Sequence, residues 1–253
     1  MKKHTRKNNA GQLLIVAALS IAIIISSTTV YVYELSKETT NSENQSLGSF
    51  ILALKQSVKS TMLSALVNAS SGGDKTILKT DLDSLSQAFR KLHEAETHYI
   101  SFTFPNDSRY ESGIWLSWDA DGSGVSSAYA SFLLKAYGLT GNMTVESAFN
   151  ITSSMKLVGS FTGSSGTGKL VSLTCQIFNE GDLASAKNFS VFYEDSGIWK
   201  RVDSGNLVTT DYGNGTYSLS FVASTSSMTV PVSVIVCDMR DVLVRANATC
   251  SQT

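Results

Sequence analysis

Residues 170–178 read LVSLTCQIF. Val171, Leu173, Cys175 and Ile177 fall on one face of an extended chain, and Ser172, Thr174 and Gln176 on the other. That period of two is the mark of a strand with one buried face. The same pattern returns at Phe189–Tyr193, Trp199–Val202, Tyr217–Val222, Val230–Cys237 and Val242–Ala248. Turn signals separate these runs at Asn179-Glu180-Gly181, Asp195-Ser196-Gly197 and Tyr212-Gly213-Asn214-Gly215. Short strands at this spacing predict a β-sandwich over residues 163–253.

The architecture is of immunoglobulin-like type. Trp199 lies 24 residues after Cys175, farther than in an antibody domain, so the expectation concerns the architecture alone. The three cysteines, Cys175, Cys237 and Cys250, all lie in this unit. The immunoglobulin template would pair Cys175 with Cys237. Strand phase favours Cys175 with Cys250, because Val230, Val232, Val234 and Val236 turn Cys237 outward, whereas Cys250 continues the inward phase of Val242, Val244, Ala246 and Ala248. Cys237 is then a free thiol. An exported domain permits such a disulfide.

Upstream, residues 98–162 form a second β-rich unit. Ile100, Phe102 and Phe104 alternate with Ser101 and Thr103. Strands follow at 113–118, 125–137 and 143–161, the first two joined through Asp119-Ala120-Asp121-Gly122-Ser123-Gly124. Gly159–Gly168, GSFTGSSGTG, reads as a linker or long loop between the β units. Residues 47–97 are helical. Leu47, Ile51, Leu54, Val58, Met62 and Ala65 form one apolar stripe, and Leu78, Leu82, Leu85, Phe89 and Leu92 another. A Gly turn at 70–73 between them suggests an antiparallel hairpin, whose stripes could also pack on the β region. The polar residues 35–46 are a linker. The fold class is thus α+β, with two β-rich units following helices.

Residues 12–34 hold the longest uncharged run. Leu13–Tyr33 reads LLIVAALSIAIIISSTTVYVY. As a helix it spans roughly 30 Å, the thickness of a bilayer's hydrocarbon core. Lys2, Lys3, Arg6 and Lys7 precede it in a basic leader, residues 1–11. Positive charge on the short side predicts a cytoplasmic N-terminus and an exported remainder, a single-pass protein of the cell membrane whose C-terminal domains are extracellular. Without the four leader charges the chain carries 16 basic and 21 acidic residues, a balance that argues against nucleic-acid binding. Membrane lipid is the expected partner.

Eight of the thirteen asparagines open an Asn-x-Ser/Thr sequon: Asn44, Asn68, Asn106, Asn142, Asn150, Asn188, Asn214 and Asn247. All lie beyond the apolar run, where glycosylation takes place. Chemistry is otherwise sparse. Gly163–Leu170 nearly matches a phosphate loop, but Leu170 stands where Ser or Thr must hold magnesium. His93 and His98 are five apart, which rotates their imidazoles about 140° from each other on a helix. Asp119 and Asp121 begin a calcium-loop pattern, yet the twelfth position is Ala130. No catalytic, cofactor-binding or metal constellation is visible, and no enzyme activity is expected.

The leader Arg6-Lys7-Asn8-Asn9-Ala10-Gly11-Gln12, followed at once by LLIVAALSIAIII, resembles archaeal type IV pilin-like (class III) signal segments. The resemblance implies cleavage between Gly11 and Gln12 and a helix able to enter a filament of identical subunits. Val16 stands where mature bacterial pilins have Glu. The C-terminal region, including the run NGTYSLSF, looks like immunoglobulin-like β-domains of archaeal surface proteins. The function expected is a membrane-anchored, pilin-like surface protein presenting β-domains for adhesion or assembly. The alternative is a monomeric anchored binding module or an accessory subunit of an envelope complex. The surface ligand is not legible.

Overall fold

The computed structural model describes residues 48–92, 97–118, 122–138, 141–163 and 168–253. The leader with Gly11 and Gln12, the apolar run 12–34, the linker with Asn44, the His93/His98 pair and Asp119/Asp121 lie outside the described residues or their described side chains. The chain divides into two compact units, Met1–Lys55 and Gln56–Thr253. Of the first, residues 48–55 are described, and they are helical.

Helix α1 runs Gly48–Ser70. Its stripe is buried at Leu54, Val58, Met62, Ala65, Leu66 and Ala69, as the three-and-four spacing requires. It ends where Gly72 takes a φ of 99°, and the Gly73 N–H closes on the Asn68 carbonyl. Helix α2, Ile77–Leu92, has Arg90 and Lys91 in its last turn, next to the negative end of the helix dipole. Among the described residues α1 alone is long and apolar enough to cross a membrane, by length and composition.

Among the described residues twelve strands follow: β1 Thr97–Thr103, β2 Ile114–Ser117, β3 Ser123–Gly138, β4 Gly141–Thr162, β5 Lys169–Asn179, β6 Asp182–Leu183, β7 Ala186–Asp195, β8 Ile198–Arg201, β9 Val208–Asp211, β10 Thr216–Ala223, β11 Val230–Asp238 and β12 Leu243–Gln252. Together they make one mixed sheet, β8-β7-β11-β12-β4-β5-β10-β9, with β3 also paired to β4 and carrying β1 and β2, and β6 paired to β5. Every pairing is antiparallel except β12 with β4, a parallel contact of Ser251 and Gln252 with Ser160 and Phe161. That short seam joins two sections. The first carries β4, β5, β10 and β9, and the second β12, β11, β7 and β8.

The inward faces of both sections share one core. Leu157 and Phe161 (β4), Val171, Leu173, Cys175 and Ile177 (β5), and Leu219 and Phe221 (β10) meet Val191 (β7), Val232, Val234 and Val236 (β11) and Val244 and Ala246 (β12). The alternation read from residues 170–178 is therefore the core face itself. Gly124 lets the start of β3 cross β12 closely, since a Cβ there would fall on the Arg245 backbone. Gly122 bridges the two sections, donating to Asn247 O (2.7 Å) and accepting from Leu157 N (2.8 Å).

Residues 56–70 of α1 and helix α2 both contact the β1–β3–β4 sheet. Ser86 Oγ donates to Ile100 O at 3.1 Å, Lys59 Nζ lies 5.4 Å from the Phe149 ring centroid, and Phe132 stacks on Phe149 at 6.0 Å. Each helix thus touches this sheet, α1 through Lys59 and α2 through Ser86.

Two expectations are revised. Gly159–Thr162 is not a linker: it is strand, paired with Leu170–Leu173, so residues 98–162 and 163–253 share the hairpin β4–β5. Gly159 stands there because Leu173 and the Cys250 sulfur occupy the space a side chain would need. Cys175 and Cys250 are both buried, as strand phase requires, but they are free thiols. Cys250 packs against Gly159, whose partner on β5 is Leu173, two residues along the strand from Cys175.

Candidate functional site

The outer face of β4, β5, β10 and β9 is the most distinctive surface. The register aligns Val158, Thr174, Ser218 and Thr210 in one row, and Ser160, Ser172, Ser220 and Val208 in the next. A third row joins Thr162, Leu170 and Val222. None of the eleven is charged. Val158 is 72% exposed, Val208 64%, Val222 58% and Leu170 47%. Strand alternation builds this face on β4, β5 and β10, where each of these residues neighbours one that enters the core, and β9 extends it as a strand exposed throughout. Soluble domains ordinarily intersperse charges over such a face, so its absence of charge is notable. Lys156 borders it, with its ammonium 5.6 Å from the Phe178 ring centroid.

A second surface lies on the side of β3 and β4 away from the helices. Tyr110 sits in a short 3₁₀ turn, Ser108–Tyr110, capped by Asp107. Its ring meets Trp115 edge-on at 5.9 Å and Tyr129 at 6.0 Å. Arg109 lies over Trp115 and pairs with Asp107 through Nη2 at 2.6 Å, which holds the Asp107 carboxyl below its usual range. The Tyr110 hydroxyl donates to Ser127 Oγ at 2.9 Å, and Ser127 Oγ donates to Asn150 Oδ1 at 2.9 Å. The sequence reading did not bring these residues together. The signal that could have done so is the Gly138–Gly141 pairing, which sets Tyr129 opposite Asn150.

At one end of the shared core a polar knot ties the 179–181 and 238–242 turns to β4. Asp238, buried, accepts from Val242 N at 2.9 Å and from Arg240 Nε at 3.1 Å. Arg240 also reaches Glu180 Oε1 at 2.7 Å and Thr152 O at 3.0 Å. Every charge here is answered by another group of the chain, so the knot is structural. Among the described residues no group of three or more His, Cys, Asp or Glu side chains gathers.

The thiols are suited to packing. Burial pushes Cys175 up to about 12 and Cys250 up to about 11. Cys237, half-buried, is raised by burial and then by Asp241. Lys169, in the near-match to a phosphate loop, is buried with its ammonium 4.4 Å from the Phe161 ring centroid and bonded to the Ser227 carbonyl. It thus serves the β5 end of the core.

The sequon asparagines differ. Asn68, Asn106, Asn142, Asn150, Asn188 and Asn214 are exposed, whereas Asn247 is half-buried with its Oδ1 buried and unpartnered. Trp199 lies on β8 at 43% exposure, outside the core.

No protein-family model and no curated protein matches the chain. Among solved structures it is similar to one described as "Crystal structure of the titin domains z1z2 in complex with telethonin". Identity is 14% over 62% of this chain and 81% of that one, with a TM-score of 0.22. A score of that size carries no argument about this chain.

Proposed function

We propose that the chain is a membrane-anchored, extracytoplasmic surface protein of pilin-like type. Residues 12–34 anchor it in lipid, with the N-terminus in the cytoplasm. The β region faces outward as an immunoglobulin-like β-sandwich and offers a surface for adhesion or for assembly with identical subunits. The observation that carries this reading is the uncharged face of β4, β5, β10 and β9. Covering such a face strands no charge away from water, so the desolvation cost that opposes association is small.

The shared hairpin β4–β5 dictates the experiment. Deleting the C-terminal residues would open the core, so substitution on the face is the appropriate tool. Leu170→Lys with Val222→Lys places two charges side by side on exposed positions that the core does not need. Adhesion, or incorporation into a filament, should fall by about tenfold or more, as expected when association must desolvate a charge. Unchanged adhesion and assembly, with a wild-type melting temperature, would remove the face from the function.

A further inference from the structure

The geometry points to Asn150 as an occupied glycosylation site whose sugar rests on Tyr129, a modification site with its own aromatic seat. The inference rests on the proposed export of the β region. Asn150 opens the sequon Asn150-Ile151-Thr152 and is exposed on β4. Tyr129 is its direct partner across the β3–β4 ladder. Directly opposed residues hold their Cβ atoms about 5 Å apart on one face of the sheet. A sugar attached at Nδ2 therefore emerges beside the tyrosine ring. The C–H face of a hexose is apolar and packs on aromatic rings.

The amide is oriented for this. Its Oδ1 accepts from Ser127 Oγ at 2.9 Å and from Thr152 Oγ1 at 3.1 Å. With Oδ1 engaged, Nδ2 is left as the end available for substitution. The same Ser127 hydroxyl accepts from Tyr110, whose ring lies 6.0 Å from that of Tyr129. One hydrogen-bond network thus fixes both the amide and the aromatic pair. In the transfer, Nδ2 forms a bond to the anomeric carbon of a polyprenyl-phosphate-linked oligosaccharide. The anomeric carbon–oxygen bond breaks, the phosphate leaves with its electron pair, and Nδ2 loses one proton.

Two other sequons lack this arrangement. Asn247 has its Oδ1 buried, and its backbone carbonyl accepts from Gly122. In the sequon of Asn68 the Ser70 hydroxyl is buried, donating to Val67 O and accepting from Leu243 N at 3.1 Å each.

The test uses the full chain, made in a host that N-glycosylates exported proteins. Externally added protease reads export, and site-resolved peptide mass reads occupancy. Asn150 should carry glycan, and Asn247 and Asn68 should be bare. A chain protected in intact cells would overturn the export reading. An exported chain with Asn150 bare would overturn this inference alone. The seat is read separately, by comparing glycosylated protein with the same sequence from a host lacking the transferase. Glycosylation should raise the melting temperature by about 2–4 °C in the wild type and by less than half as much in Tyr129→Leu. Equal shifts in both would remove Tyr129 as the seat.

Discussion

Strand β4 passes through two different environments. Over Gly141–Thr152 it pairs with β3, and Asn142, Thr144, Glu146, Ala148 and Asn150 are exposed while Met143, Val145, Ser147 and Phe149 are half-buried under the helix side. Over Ser153–Thr162 it also pairs with β5, and Met155, Leu157 and Phe161 are fully buried in the shared core. The alternation is the same in both halves. What differs is the cover: two helices on one side of the first half, a whole section of sheet on the other. Period two therefore announces a strand and its faces, and the depth of burial depends on what arrives from elsewhere in the chain.

The largest effect should come from the knot beside the second half. Asp238→Ala leaves Arg240 and the Val242 N–H without their buried acceptor, and should cost about 3–5 kcal/mol. Urea unfolding measures it. A loss below about 1 kcal/mol would mean that water replaces the carboxylate freely.

The comparison within β4 is sharpened by a matched pair. Leu157→Ala removes a fully buried side chain and should cost about 3 kcal/mol. Val145→Ala removes a half-buried one under the helices and should cost about 1 kcal/mol. Equal losses would show that the helix-covered half is packed as tightly as the shared core.

A smaller effect follows from the thiols. Cys175 and Cys250 have pKa values raised by burial, to about 12 and about 11, above the ordinary value near 9. Below about pH 9 the thiols are neutral in folded and unfolded chains alike. Above it the unfolded chain loses these protons first, so stability falls as pH rises toward about 11–12. Melting temperature against pH should decline over that window, and less steeply in Cys175→Ala after its lower starting stability is taken into account. An unchanged slope would assign the decline to other groups.

The residues decide how much of this was legible. Strands with one face in the core, such as β5 and β10, announce themselves because every second residue must be apolar. β9 does not: all four of its residues are exposed, so Val208–Asp211 carries no alternation, and β6 is only two residues long. The β4–β5 hairpin was hidden by composition. Its glycines and serines resemble a linker, whereas Gly159 is small because Leu173 and Cys250 fill the space beside it. The uncharged face was present in the sequence as the outward half of the alternation, but joining its rows needs the register. The aromatic patch is less legible still, since Tyr110 sits in a 3₁₀ turn and meets Tyr129 only after β2 and β3 pair.

The same packing supplies a direct probe of where the β region lies. Cys175 and Cys250 are buried, and Cys237 is the half-exposed thiol of the three. A membrane-impermeant maleimide, applied to intact cells at pH 8, should attach one label per chain, at Cys237, and Cys237→Ser should abolish it. That result is predicted if the β region stands outside the membrane. Labelling of Cys237 only after the cells are lysed would contradict the account.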